Sequence, residues 1–242
     1  MRLRRTLFIS DLHLDPSRPA IVGQFERFLS EVVAGCDALY VLGDLFEYWV
    51  GDDSLVLPFP ARIARALKAA SRGFPIHFMH GIRDFLAAAR FSEATGTHPI
   101  ADPAQVDLYG ARALLMHGDT LCTGDVRYQA FRAQVRDPAW QQAALARPIA
   151  ERLVTAERMR SESEGVKQGT EARIMDVAPD AVEAAFAACD CDLLIHGHTH
   201  RPGRHVHRVE GRERVRWVLP DWYQRGGYLE ADPAGLRAVE DF

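Results

Sequence analysis

The sequence predicts an α/β fold: two packed, mixed β-sheets flanked by helices, with a helical segment inserted late in the chain. Three observations predict it. Early in the chain, short apolar runs alternate with segments of helical period, as in strands joined by helical crossovers. From about residue 125 to 165 the strand signal disappears. Towards the end, short alternating runs follow one another closely, as antiparallel strands do.

Thr6 to Ser10 reads as a buried strand ending at Asp11. Gln24 to Val33 has helical spacing at Phe25, Phe28, Leu29 and Val32. Ala38 to Leu42 is a second strand, closed by Gly43-Asp44. Ala61 to Ala70 is a helix stopped by Arg72-Gly73, with Pro75 beyond. Ile76 to Met79 is a third strand, and Phe85 to Phe91 resumes helix. Val106 to Leu108 and Ala113 to Met116 form a hairpin turning near Gly110, whose second arm delivers His117. Tyr128, Phe131 and Val135 lie at helical spacing; Trp140 and Leu145 follow Pro138, and Ile149, Leu153 and Ala156 follow Pro148. Two or three short helices are expected there, with Arg147, Arg152, Arg158 and Arg160 as a basic face. Such an insertion either covers a site or is a packed hairpin without contact to substrate. Pro179 to Ala188 is a helix, and the strand from Asp192 to Ile195 delivers His196 to His200. Val206 to Val209, Val215 to Leu219, Gly227 to Glu230 and Leu236 to Val239 read as antiparallel strands completing the second sheet.

The 242 residues suit one domain spanning 1–242 with an insertion at about 124–166, and 48% hydrophobic residues supply its core. A net charge of −4 gives no reason to expect nucleic-acid binding. Basic residues cluster at Arg2, Arg4 and Arg5, and at Arg201, Arg204, Arg208, Arg212, Arg214 and Arg216. These read as solvated surface, or as attraction to an anionic membrane or substrate. The first apolar run, Leu7 to Ile9, is too short for a secretory signal, so Cys36, Cys122, Cys189 and Cys191 are expected to be reduced thiols. No segment reaches the roughly twenty apolar residues of a membrane span.

The chemistry lies where the runs end: Asp11-Leu12-His13, Gly43-Asp44, His117-Gly118-Asp119 and Gly197-His198-Thr199-His200. Asp11 and His13 are two apart in a segment read as extended, so both side chains point the same way, and His198 and His200 repeat the pattern. Mixed carboxylates and imidazoles suit manganese, iron, zinc or nickel and disfavour calcium. A carboxylate such as Asp44 can bridge two ions roughly 3.5–4 Å apart, which together activate a water and clamp an in-line displacement at phosphorus. Each motif alone is weak; their order, each after a strand, is specific. His77, His80 and His196 fall outside the set and read as packing or supporting residues.

This order of segments resembles the calcineurin-like metallophosphoesterase superfamily. That superfamily usually carries Gly-Asn-His-Asp or Gly-Asn-His-Glu in its middle segment. This chain has Gly81-Ile82-Arg83-Asp84-Phe85-Leu86, close to the Gly-Asn-Arg-Asp-Phe-Leu of one branch, the UDP-2,3-diacylglucosamine pyrophosphohydrolases of lipid A biosynthesis. The likeness extends over Phe8 to Leu14, Gly43 to Trp49, His117 to Asp125, Ile174-Met175-Asp176-Val177, His196 to Pro202 and Asp221-Trp222-Tyr223.

The resemblance implies a metallophosphoesterase sandwich with a helical, lipid-binding cap, and two Mn²⁺ per chain. Asp11, His13, Asp44 and His200 would hold the first ion; Asp44, His117 and His198 would hold the second. Metal-activated water would attack the α-phosphorus of UDP-2,3-diacylglucosamine, giving UMP and 2,3-diacylglucosamine 1-phosphate. Arg83 would pair with the phosphates, its fork suiting them better than Lys. Ile82, Asp125, Ser163, Lys167, Thr170 and His198 match substrate-lining positions, and Phe131, Val135, Trp140, Ile149 and Leu153 are candidate walls for the acyl chains. The implied setting is the cytoplasmic face of the bacterial inner membrane, bound peripherally by a monomer. Two positions depart. Ile82 stands where the family has an Asn ligand to the second ion, so weaker metal binding and slower turnover are expected. Thr170 stands where the family tends to have Lys, while Lys167, one turn away, restores a charge. Two alternatives stay open: a related metallophosphoesterase for another nucleotide or diphosphate, and a non-catalytic lipid- or nucleotide-binding paralogue.

Overall fold

The computed structural model describes residues 4–169, 176–240 and 242, and for 162–169 the backbone alone. Arg2, Thr170, Ile174 and Met175 lie outside the described residues. The predicted architecture is present as two mixed sheets with helices on their outer faces. The first sheet has the order β11-β10-β1-β2-β3-β4, from β1 (Thr6–Ile9), β2 (Ala38–Leu42), β3 (Ile76–Met79), β4 (His98–Pro99), β10 (Gly227–Asp232) and β11 (Gly235–Glu240). The second has the order β5-β6-β7-β9-β8, from β5 (Ala104–Leu108), β6 (Ala111–Leu115), β7 (Leu193–His196), β8 (Gly203–Val209) and β9 (Arg212–Val218). β1 to β4 run parallel, as do β6, β7 and β9.

The strand period of two sorts the core into layers. Leu7, Ile9, Leu39, Val41, Ile76 and Phe78 face outward beneath α1 (Pro19–Arg27), α2 (Pro58–Ala70) and α3 (Ala89–Thr95). Their neighbours Phe8, Leu42 and Met79 face inward and meet Ala113, Leu115, Leu193 and Ile195 of the second sheet. Leu114, Met116 and Leu194 face the far side, where Val182 and Phe186 of α7 (Pro179–Cys189) cover them. Strands buried on both faces explain why these runs read as continuous apolar stretches.

Several expectations are corrected. β10 and β11 do not complete the second sheet; they return to the first, where β10 pairs antiparallel with β1. Alternation fixes which face a strand buries, but not its partner. The helix expected at 85–91 starts later, at Ala89, because Ala87 N closes a turn on the backbone Asp84 O and Asp52 takes the amide of Ala88. Asp84 accepts from Gly81 N and Leu45 N, and Asp52 accepts from Ala88 N and Phe91 N at the start of α3. The first helix begins at Pro19 rather than near Gln24 and ends in a π-helical turn over Phe28–Val32.

The insertion comprises α4 (Val126–Arg136), α5 (Pro138–Leu145) and α6 (Ile149–Gly169), the last far longer than expected. Arg214 and Arg216 are not solvated: both are buried, bonded to Cys191 O and Asp190 and to His196 and His207 respectively. Cys36 and Cys122 are buried free thiols, whereas Cys189 and Cys191 are paired as a disulfide rather than reduced. Among the described residues no helix is long and apolar enough to cross a membrane.

Candidate metal centre

The carboxyl ends of β1, β2, β3, β6 and β7 converge on one edge of the sandwich, and each loop brings a predicted site residue. Two clusters form there. Single donor atoms of Asp11, His13 and His200 lie within 4.8 Å of one another, as do those of Asp11, Asp44 and His117. The closest approaches are His200 Nε2 to Asp11 Oδ1 at 3.3 Å, His117 Nε2 to Asp44 Oδ2 at 3.8 Å and His13 Nε2 to Asp44 Oδ2 at 4.0 Å. His198 lies outside both clusters, but its ring centroid is 5.1 Å from that of His117.

The side chains converge for a different reason from the one expected. Asp11, His13, Asp44, His198 and His200 are not extended; all have positive φ, between 48° and 66°. Asp and His tolerate the left-handed region better than most residues, yet each such residue costs on the order of 1–3 kcal/mol. The loops therefore turn sharply at every predicted ligand except His117, where Gly118 takes the positive φ instead. Two glycines make the close approach possible. A Cβ on Gly43 would lie 2.6 Å from His117 Nδ1, and one on Gly81 would lie 2.0 Å from Asp44 Oδ1.

The remaining polar atoms orient the donors. Asp11 Oδ2 accepts from Ser10 Oγ at 2.6 Å and His198 N at 2.8 Å, turning Oδ1 towards His200. Asp44 Oδ1 accepts from Arg83 N at 2.8 Å. His117 Nδ1 pairs with Leu42 O at 2.9 Å, leaving Nε2 buried beside Asp44 with no hydrogen bond among the described residues. An imidazole nitrogen aimed at a carboxylate it does not bond, amid further carboxylates and histidines, fits a divalent cation between them. Ile82 adds no donor. It is half-buried, and its chain neighbours Gly81 and Arg83 lie against Asp44.

The charges fit the same reading. Burial alone would lower the His117 pKa, but Asp44, Asp119 and Asp11 overrule it and raise it to about 9. Burial and then His117 push His198 down to about 3, keeping it in the neutral form that ligates metal. Burial opposes ionisation of Asp11, yet His200, His117 and His13 hold its carboxyl well below the usual range. At pH 7 a cation entering beside His117 must displace a proton. Titration of metal-free protein in buffers of different protonation enthalpy is therefore expected to show about one proton released per chain. Affinity should rise with pH until about 9. Affinity that stays flat between pH 7 and 9 would contradict this.

The other predicted residues are more dispersed. Arg83 Nη1 lies 4.0 Å from Glu47, and its side chain is 15% exposed. Asp125 caps α4, accepting from Tyr128 N at 2.9 Å. Ser163 and Lys167 lie on α6 with only their backbone described, and Thr170 lies outside the described residues. Of the candidate wall residues Val135 is buried, Trp140 packs on Phe85 at 5.9 Å, and Phe131, Ile149 and Leu153 are half-buried. His196 and His80 bond backbone carbonyls and His77 stacks on Tyr40, so all three pack rather than join the clusters.

Sequence reasoning missed several contributors. Buried Glu47 lies 3.8 Å from His13 Nδ1 and 3.1 Å from Arg160 Nε. Asp119 accepts from Tyr128 Oη and Arg132 Nε of α4, and Arg136 Nη2 donates to Gly81 O. Arg152, expected on an exposed basic face, is buried and bonds Val50 O and Asp53. The only prior signal for Glu47 and Asp119 was their place in the motif-bearing segments; Arg152 and Arg160 were read only as a basic face, and Arg132 and Arg136 carried no signal.

Comparison with known proteins gives the family. The family model for calcineurin-like phosphoesterases matches residues 4–202. A protein of Xanthomonas campestris pv. campestris strain B100 named UDP-2,3-diacylglucosamine hydrolase is 50% identical over 239 residues, 96% of each chain. One of the same name from Stenotrophomonas maltophilia strain K279a is 50% identical over 240 residues, 95% of this chain and 96% of its own. Among solved structures, a novel archaeal phosphodiesterase aligns over 98% of this chain and 99% of its own, at 13% identity and a TM-score of 0.48.

Proposed function

Because this chain belongs to the calcineurin-like phosphoesterase family, we propose that it hydrolyses the pyrophosphate of UDP-2,3-diacylglucosamine, in lipid A biosynthesis, to UMP and 2,3-diacylglucosamine 1-phosphate. The observation that carries the reading is the convergence of loop-borne carboxylates and imidazoles around Asp44, in a chain half identical to hydrolases named for that substrate. The experiment that tests it is UMP release from this lipid under Mn²⁺, with chelation as the control.

In this reading Asp11, His13, Asp44 and His200 would hold a first Mn²⁺, and Asp44, His117 and His198 would hold a second. Ions bound there supply Lewis acidity at the α-phosphorus and a water of lowered pKa. The protein's own part is positional. Ser10 and the amides of Arg83 and His198 fix the carboxylates, and Leu42 O fixes the His117 tautomer. Arg83 turns from Glu47 towards the diphosphate and holds it in line. Asp125 borders the head group, with Ile82 and His198 beside the phosphates. The acyl chains pass beneath α4 to α6, a cap within the single domain. Arg83→Lys keeps the charge but loses the fork. Charge-assisted bonds to phosphate contribute on the order of 1.5–3 kcal/mol, so kcat/KM should fall about ten- to a hundredfold in steady-state assays. An unchanged value would remove Arg83 from the phosphates.

The same reading puts the protein, as a monomer, on the cytoplasmic face of the inner membrane. Support comes from the insertion: Val126 and Val154 are 73% and 69% exposed, and Arg147 and Arg158 are exposed beside Val154. Sedimentation with anionic vesicles should weaken as salt rises; no binding at low salt would overturn this placement.

A further inference from the structure

We propose that Arg18 and Tyr223 are positioning residues for the first metal site, so that the loop after β9 controls how tightly that ion is held. The inference rests on the metal reading above and concerns two residues that none of the site assignments includes.

Tyr223 lies over both histidines of the first cluster. Its ring stacks on His13 at 5.0 Å with an interplanar angle of 19°, and meets His200 at 5.2 Å. No other described ring contacts both. Tyr223 belongs to the loop between β9 and β10, far in sequence from His13, so something must fix one loop against the other. Arg18 does this. Its guanidinium lies 5.0 Å from the Tyr223 ring centroid. Nη1 donates to Leu12 O and His13 O at 3.2 and 2.8 Å; Nη2 donates to Trp222 O and Tyr223 O at 2.5 and 3.0 Å. One planar group thus ties four carbonyls on two loops, which the point charge of a lysine cannot reproduce.

The fixture is anchored from below. Trp222 is fully buried, its Nε1 donates to Gly227 O at 2.9 Å, and its ring meets Phe25 and Phe28 edge-on. Its backbone N donates to Asp11 O at 3.1 Å. Tyr223 is therefore held by a core tryptophan on one side and by Arg18 on the other. The χ2 torsion of histidine is broad, and a packed aromatic face narrows the ring orientations that His13 and His200 can take. Supporting contacts of this kind change metal affinity by about 10- to 100-fold when removed.

The test is Mn²⁺ titration of metal-stripped protein by calorimetry, with thermal unfolding of the metal-free form alongside. Tyr223→Phe, which keeps the ring, should bind the tighter ion within about twofold of wild type. Tyr223→Leu should weaken that ion about 10- to 100-fold and leave the weaker ion and the metal-free unfolding midpoint unchanged, a selectivity that a general structural role would not give. Arg18→Lys, which leaves Trp222 and Tyr223 in place, should weaken the same ion by a smaller factor and carries the test if Tyr223→Leu does not fold. Wild-type affinity in Tyr223→Leu, or in Arg18→Lys if that variant alone folds, overturns the inference. Equal weakening of both ions also overturns it. Wild-type protein that binds no Mn²⁺ would overturn the metal reading itself, a different failure seen in a different sample.

Discussion

Ile82→Asn is expected to speed hydrolysis of UDP-2,3-diacylglucosamine by about 10²-fold or more. The side chain at 82 sits between Gly81, packed against Asp44, and Arg83, whose amide bonds Asp44 Oδ1. In the proposed site Asp44, His117 and His198 would hold an ion to which an amide oxygen at 82 could be added, and isoleucine offers none. Removing one preorganised group that stabilises developing charge lowers rates by about 10²–10³ in comparable sites. Restoring it should return a similar factor. If two Mn²⁺ bind as proposed, the substitution should also tighten the weaker and leave the tighter alone, which separates a repaired metal site from improved substrate binding. Equal rates in the two proteins would mean that position 82 does not limit this reaction.

Gly81→Ala should cut kcat by about 10²-fold. A Cβ there would lie 2.0 Å from Asp44 Oδ1 and 2.4 Å from Asp44 N. The second contact is with backbone, so no rotamer change relieves it, and the loop bearing Asp44 must shift. Misplacement of about 1 Å in a reacting assembly costs on the order of 10² in rate, and overpacking costs about 1–3 kcal/mol of stability. Gly23→Ala is the matched control. It lies in α1 with nothing within 4 Å of an added Cβ and should stabilise by about 0.5–1 kcal/mol without touching kcat. Parallel kinetics and melting curves decide the matter; a Gly81→Ala enzyme with wild-type kcat would deny Asp44 its central place.

The residues that were legible before the structure are those whose chemistry is local. A carboxylate or histidine ending an apolar run marks a loop at the edge of a sheet, and Asp11, His13, Asp44, His117 and His200 do converge there. Strand faces were legible too, because Phe8 against Leu7 and Ile9 is a matter of period two. Strand partnership was not. Nothing in the alternation of Gly227–Asp232 says that it pairs with β1 rather than β9. Contacts between remote segments were equally silent: Asp52 at the start of α3, Arg152 on Asp53, and Arg18 across two loops each need the fold to bring the partners together. The extended backbone assumed for Asp11 and His13 was wrong in mechanism though right in outcome, since left-handed turns aim both side chains inward.

Cleavage of a lipid-linked UDP-sugar at this centre is tested most directly by the release of UMP and 2,3-diacylglucosamine 1-phosphate from UDP-2,3-diacylglucosamine, with Mn²⁺ present and its binding confirmed. The wild-type chain should release UMP measurably, Ile82→Asn should release it faster, and neither should release any after chelation. No UMP from either protein with Mn²⁺ bound would contradict that cleavage.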